Sequence, residues 1–225
     1  MIEKLSDTES RSQSLARRGA IAPSVSLRRH FVALARQVND WRRINLAHAS
    51  RAMRLGVTSL SSGAGRSTVS FNLAASMASL SHSQVLLVES DFGKHYATRR
   101  LGYSRSSGLS ELIAGQVALD EIIHPTPVTN LSVVSSGQRS DQDVIENLFS
   151  EFSKPFDFHA SEFSSVVFDL PVANHLTAFH AIAPHLDGVL LTIESSQIEP
   201  RLVQRFRRQL DVRGVPIVGL VLNKS

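Results

Sequence analysis

Cysteine is absent from the sequence, which excludes disulfides, thiolate metal sites and cysteine nucleophiles together. No uninterrupted apolar run approaches the ~20 residues of a bilayer span. Arg17-Arg18 precede only a short apolar stretch before Pro23, too little for an export signal. A cytoplasmic protein is the expectation, with membrane contact at most peripheral. Aromatic residues are few: one Trp and two Tyr beside 11 Phe. The formal net charge of +4 is unevenly spread, because residues 1–54 hold 11 of the 24 Lys and Arg and only 4 of the 20 Asp and Glu. The remainder of the chain is net acidic.

What is present divides into three parts. Residues 1–24 are rich in Ser, Arg and Glu and read as a flexible N-terminal segment. Residues 25–54 read as a basic amphipathic helix region, with Leu27, Phe31, Leu34, Val38 and Trp41 at helical spacing and Arg28, Arg29, Arg36, Arg42 and Arg43 between them. Such a helix packs on the domain or on a second copy with its arginines solvated, or else meets a membrane surface or nucleic acid. Residues 55–225 alternate strand and helix.

Residues 54–80, RLGVTSLSSGAGRSTVSFNLAASMASL, order the whole chain. They read as strand, glycine loop and helix. Glycines let successive backbone N–H groups curl round an anion, and the helix that follows turns its positive end to the same point. The usual phosphate loop ends G-K-[ST]; this one ends Gly65-Arg66-Ser67-Thr68. Arginine keeps the charge but substitutes a longer planar fork for a compact ammonium.

Further strands are expected at 84–89, 131–135, 165–169, 188–193 and 216–222. Each is a nearly continuous apolar run, the pattern of strands covered on both faces. With helices at 108–114, 141–152, 176–185 and 199–212, the pattern predicts a doubly wound, mainly parallel α/β sheet, a three-layer sandwich whose ligands bind at the carboxyl ends of the strands. Two acidic strand ends meet that rule: Glu89-Ser90-Asp91 and Asp169-Leu170-Pro171. Carboxylates so placed behind a phosphate loop can position Mg²⁺, its waters or an attacking hydroxyl.

VTSLSSGAGRSTVSFNLA, VLLVESDFGKH, GLSELIAG, VVFDLP and the terminal VLNK, in that order and approximate spacing, resemble the bacterial tyrosine kinases of exopolysaccharide and capsule synthesis, within the MinD/ParA-like P-loop ATPases. The resemblance runs over nearly everything from 55 to 223. It implies that Gly63, Ala64, Gly65, Arg66, Ser67 and Thr68 surround the phosphates of ATP or ADP, with Asn223 bordering the adenine. It further implies that Ser67, Asp91 and Asp169 hold Mg²⁺, that Glu89 stands in for the catalytic aspartate, and that Arg66 is the phosphate cation. A membrane activator or chain-length protein of a polysaccharide export system is the implied partner, and a homo-oligomer the implied assembly. Nucleic acid ranks behind both.

The departures lie at the chemistry. Arg66 replaces lysine, Glu89 replaces aspartate, and Gly93 and His95 stand where the family commonly has arginine and proline. The family's self-association pattern E-x-x-R-x-x-R falls on Arg29, Val32 and Ala35, and the two tyrosines, Tyr96 and Tyr103, form no C-terminal cluster. The expectation is therefore a nucleotide-binding regulatory subunit with an impaired site. An active ATPase or kinase, in which Arg66 and Glu89 compensate one another, is one alternative; a MinD/ParA-like positioning ATPase, whose signature lysine would fall on Ser61, is the other. His175, His180 and His185, five residues apart, share no helix face and suggest no metal site. No G-x-S-x-G elbow supports a hydrolase. Arg201, Arg205 and Arg208 share a face of the last expected helix and read as solvated.

Overall fold

The computed structural model describes residues 25–47, 49–80, 83–92, 95–103, 105–138, 156, 162–173, 179, 181–194 and 199–223. Their elements run α1 (Val25–Asn45), β1 (Met53–Ser59), α2 (Arg66–Leu80), β2 (Gln84–Glu89), α3 (Tyr96–Leu101), α4 (Leu109–Ile113), α5 (Leu119–Ile122), β3 (His124–Pro125), β4 (Leu131–Val134), β5 (Phe163–Asp169), β6 (Gly188–Glu194), α6 (Pro200–Asp211) and β7 (Ile217–Asn223). The expected segments 1–24 and 141–152 lie outside the described residues, as do Gly93, His175 and His180.

The seven strands form one sheet in the order β3-β4-β2-β5-β1-β6-β7. Every pairing is parallel except that of the short edge strand β3 with β4. The doubly wound expectation is therefore met. β3 is an addition that a two-residue strand gives no periodicity to announce. Because alternate side chains of a strand point to opposite faces, the continuous apolar runs build two cores. Leu55, Val57, Val85, Leu87, Val133 and Val167 pack under α1 and α2, while Leu86, Val88, Val166, Phe168, Leu191 and Ile193 pack with residues of α4 and α6.

β1 is central, and its second face carries Arg54, Gly56 and Thr58. A Cβ on Gly56 would come 2.6 Å from Leu170 Cδ1 and 2.7 Å from Leu186 Cδ1, so glycine is what lets these two leucines pack against the strand. α1 lies on the domain: Phe31, Ala35 and Val38 are buried in the α2 core, whereas Arg28, Arg29, Arg36 and Arg43 face solvent. The entry to β1 is fastened at Asp187, whose carboxylate accepts two hydrogen bonds from the Arg51 guanidinium, at 2.5 and 2.9 Å, and one from the Arg54 amide at 2.8 Å.

One expectation fails at the sheet edge. β7 is not covered on both faces among the described residues, since Leu220 is 53% and Leu222 62% exposed. No described helix is long and apolar enough to cross a membrane.

Candidate functional site

Parallel register decides which side chains meet. Val57 of β1 and Glu89 of β2 both pair with Asp169 of β5, so the loop leaving β1 emerges beside both acidic strand ends. In that loop Gly63 and Gly65 take left-handed φ values of 85° and 79°, which glycine alone adopts without strain. Nothing lies within 4 Å of where a Gly63 Cβ would be, leaving the turn open to an anion. Gly65 is closed in instead: its Cβ would stand 2.0 Å from Asn223 Nδ2. That Nδ2 donates to the Ala64 carbonyl at 3.1 Å, so Asn223 ties the end of β7 to the loop. Val69 N–H then donates to Gly65 O at 2.9 Å, starting α2.

Arg66, the first residue of α2, is 7% exposed. Its Nη2 donates to Asp91 Oδ2, and its Nε lies 3.7 Å from Asp169 Oδ1, too far for a hydrogen bond and close enough for an ion pair. The guanidinium thus stands between the carboxylates of Asp91 and Asp169. That buried Nε–H has no hydrogen-bond acceptor among the described residues.

Asp169 is further held by Ser67 and by Ser70, whose Oγ is 3.1 Å from Asp169 Oδ1 and 2.9 Å from the Arg66 carbonyl. Burial pushes its carboxyl up to about 6 against the pull of Ser67, Arg66 and Ser70. Glu89 is turned to α3. Ala97 N–H and Thr98 Oγ1 each donate to it at 2.5 Å, and Thr98 N–H follows at 3.4 Å. It serves as the anion at that helix's N-terminus. Burial nevertheless raises its carboxyl to about 7, the bonds from Thr98 and Ala97 opposing the rise. Thr68 Oγ1 donates to the Tyr96 hydroxyl at 3.1 Å, and Arg100 stacks 4.0 Å over the Tyr96 ring.

The structure brings Gly63, Ala64, Gly65, Arg66, Ser67, Asp91, Asp169 and Asn223 together, and sets Glu89 on the neighbouring strand with its oxygens occupied by α3. Sequence reasoning missed Ser70 and Thr98. Ser70 sits four residues after Arg66 on one helix face, a readable spacing; Thr98 is nine residues from Glu89 across a turn, and no pattern announces it. The GLSELIAG segment braces the same end of the sheet. Glu111 accepts from Gly108 N–H at 2.8 Å and Gln138 N–H at 3.0 Å, and Leu109 and Ser110 amides donate to Ser135 and Ser136 carbonyls at 2.8 and 3.0 Å. His95 Nδ1 joins this corner, 3.2 Å from Ser136 Oγ.

Two ligands can be tested against this arrangement. A phosphate group fits: the Gly63 turn is open and the Arg66 Nε–H lacks an acceptor. A divalent ion fits poorly, because the oxygens that would ligate it already accept from Arg66, Ser67 and Ser70. Among the described residues no cluster of three or more His, Asp or Glu has metal-binding geometry.

No protein-family model matches the chain. It is 28% identical over 170 residues to the tyrosine-protein kinase wzc of Salmonella typhi, a match covering 75% of this chain and 23% of that protein. Its match to the tyrosine-protein kinase CpsD of Streptococcus agalactiae is 28% over 178 residues, covering 76% of this chain and 74% of that one. Among solved structures, the kinase domain of the Escherichia coli tyrosine kinase ETK superposes with a TM-score of 0.72 at 21% identity, covering 86% of this chain and 75% of that one. The septum site-determining protein MinD of Pyrococcus horikoshii, solved with Mg-ADP, superposes with a TM-score of 0.58 at 20% identity over 76% and 70% of the two chains. The chain is therefore a relative of the bacterial tyrosine-protein kinases and carries the P-loop α/β fold that their kinase domains share with MinD.

Proposed function

We propose that this chain binds adenine nucleotide through its phosphate loop and acts as a catalytically impaired, regulatory member of the exopolysaccharide tyrosine-kinase group, serving a polysaccharide synthesis and export system. The observation that carries the reading is the commitment of the expected catalytic side chains to internal partners. Glu89, at the position of the expected base, spends its two oxygens on three donors of α3. A base must reach the proton it removes within about 3 Å, and a displacement of 1 Å can cost about a hundredfold in rate. Arg66, at the position of the expected phosphate cation, is engaged with Asp91 and Asp169.

What remains for the ligand is the backbone, with the Arg66 Nε–H beside it. The amides of residues 63–68 and the N-terminus of α2 would hold the phosphates, Ser67 and Thr68 would line the cradle, and Asn223 would set the loop against the end of β7. Bound nucleotide then favours one conformation over another rather than fuelling turnover. A membrane activator or chain-length protein is the partner to which that conformation would be presented, and a homo-oligomer is the corresponding assembly.

The test joins calorimetric titration of ADP and ATP to a phosphoryl-transfer assay on a tyrosine-containing polypeptide. The expected result is nucleotide binding in the micromolar to submillimolar range with no phosphotyrosine above background. Turnover by the wild-type chain that Glu89→Ala abolishes would replace this reading with that of an active kinase.

A further inference from the structure

We propose that Arg66 is the resident cation of this site: its guanidinium occupies the position between Asp91 and Asp169 that a divalent ion would take, so the phosphate loop takes its nucleotide as the metal-free anion. The nucleotide part rests on the reading just given; the part concerning the cation stands on the side-chain geometry alone.

The two carboxylates that face this position are already engaged by groups of the protein. A hard divalent ion of the magnesium type needs oxygen ligands in near-ideal octahedral geometry and shows little tolerance for displacement. The oxygens at hand are those of Asp91, Asp169 and Ser67. Asp91 Oδ2 accepts from Arg66 Nη2, and Asp169 Oδ1 accepts from Ser70 and lies 3.7 Å from Arg66 Nε. Ser67 donates its hydroxyl to Asp169, so that carboxylate already faces a serine proton as well as the guanidinium. Glu89, the third acid of the corner, is turned to Ala97 and Thr98.

The guanidinium is suited to this place for reasons that lysine does not share. It is planar, permanently charged and carries donors on three nitrogens, so one side chain faces two carboxylates at once; an ammonium is a point charge on a flexible stem. The cation is also shielded, with its side chain 8% exposed against 14% for Asp91 and 6% for Asp169, which strengthens the pairing relative to a solvated one. An ion entering here would have to displace a buried guanidinium and leave it without its acceptors, a costly outcome in low dielectric.

The test uses the full chain and two probes. Mn²⁺ alone is titrated into wild type and Arg66→Ala while the free-ion signal is followed by electron spin resonance. Wild type is expected to leave Mn²⁺ free up to about 1 mM, and Arg66→Ala to bind one ion at least about tenfold more tightly, as the carboxylates that faced the guanidinium attract a divalent cation. Equal binding by both chains, or by neither, would overturn the proposal, since Arg66 would then not be what excludes the ion. If circular dichroism finds Arg66→Ala unfolded, Arg66→Lys takes its place, with at least about threefold tighter Mn²⁺ binding than wild type expected because one ammonium does not span both acids.

The second probe is ADP, titrated into wild type with Mg²⁺ and again with excess EDTA. The two affinities are expected to agree within about threefold; a tenfold loss on removing Mg²⁺ would sink the idea. ADP that binds under neither condition would remove the nucleotide reading and leave the Mn²⁺ result to decide the role of Arg66.

Discussion

The site has two halves built from different materials, and they behave differently. The cradle is backbone: Gly63, Ala64 and Gly65, with two left-handed glycines and open space at Gly63. The charged half is long side chains: Arg66, Asp91, Asp169 and Glu89, each already engaged by another group of the protein. Backbone amides in a loop fixed by glycine conformations cannot turn away from their ligand. Side chains can: Arg66 and Glu89, each longer than the lysine and aspartate expected at those positions, reach internal partners. The two changes are therefore of one kind, since each longer side chain ends on an internal group.

Removing Arg66 is the strongest way to break this contrast. Arg66→Ala removes the guanidinium that Asp91 and Asp169 face, and breaking a buried pair from one side costs about 3–5 kcal/mol. For a chain of this size that lowers the melting temperature by about 6–20 °C. Calorimetry in EDTA is expected to find that drop, and millimolar Mg²⁺ to restore part of it; the wild type is expected to gain nothing from Mg²⁺.

Gly65→Ala attacks the cradle instead. The φ of 79° and the approach to Asn223 Nδ2 at 2.0 Å leave no room for a methyl group, and such backbone strain costs about 1–3 kcal/mol. ADP binding is expected to vanish from a calorimetric titration while Arg66 keeps its partners. If instead ADP binds Gly65→Ala as it does wild type, the cradle is not the phosphate site.

Asn223→Ala sharpens the comparison by loosening the cradle without straining it. Loss of the bond to Ala64 O is expected to cost about 1 kcal/mol and to weaken ADP severalfold, read from the same titration. The smallest effect is on pH dependence. Glu89 is raised from 4.5 to about 7 in the folded protein, so between those values the folded state holds a proton that the unfolded state releases. Its contribution to stability is full below pH 4.5 and is lost as pH rises through about 7. Glu89→Gln is expected to flatten the decline in melting temperature between about pH 4.5 and pH 7. Asp169, raised from 3.8 to about 6, adds a loss of the same sign that this variant retains.

The strands, their parallel order and the phosphate-loop turn were legible in the sequence because each is a local statement. Apolar runs of strand length, glycines before a helix and acids at strand ends lie within a few residues of one another. The edge position of β7 was not legible, since its apolar run matches those of the central strands and only the sheet order exposes Leu220 and Leu222. The identities of the residues at the site were also plain, including the arginine where a lysine is usual.

What each charged group does with its charge was decided by tertiary structure alone. Register set Glu89 beside Asp169, yet the fold of the segment after β2 brought Ala97 and Thr98 to Glu89, and the start of α2 set Arg66 between two carboxylates 25 and 103 residues further along the chain. The physical reason is range. Hydrophobic periodicity and turn conformation act over neighbouring residues and survive in the linear sequence, whereas a buried charge takes whichever counter-charge or hydrogen bond the finished fold places within about 3 Å.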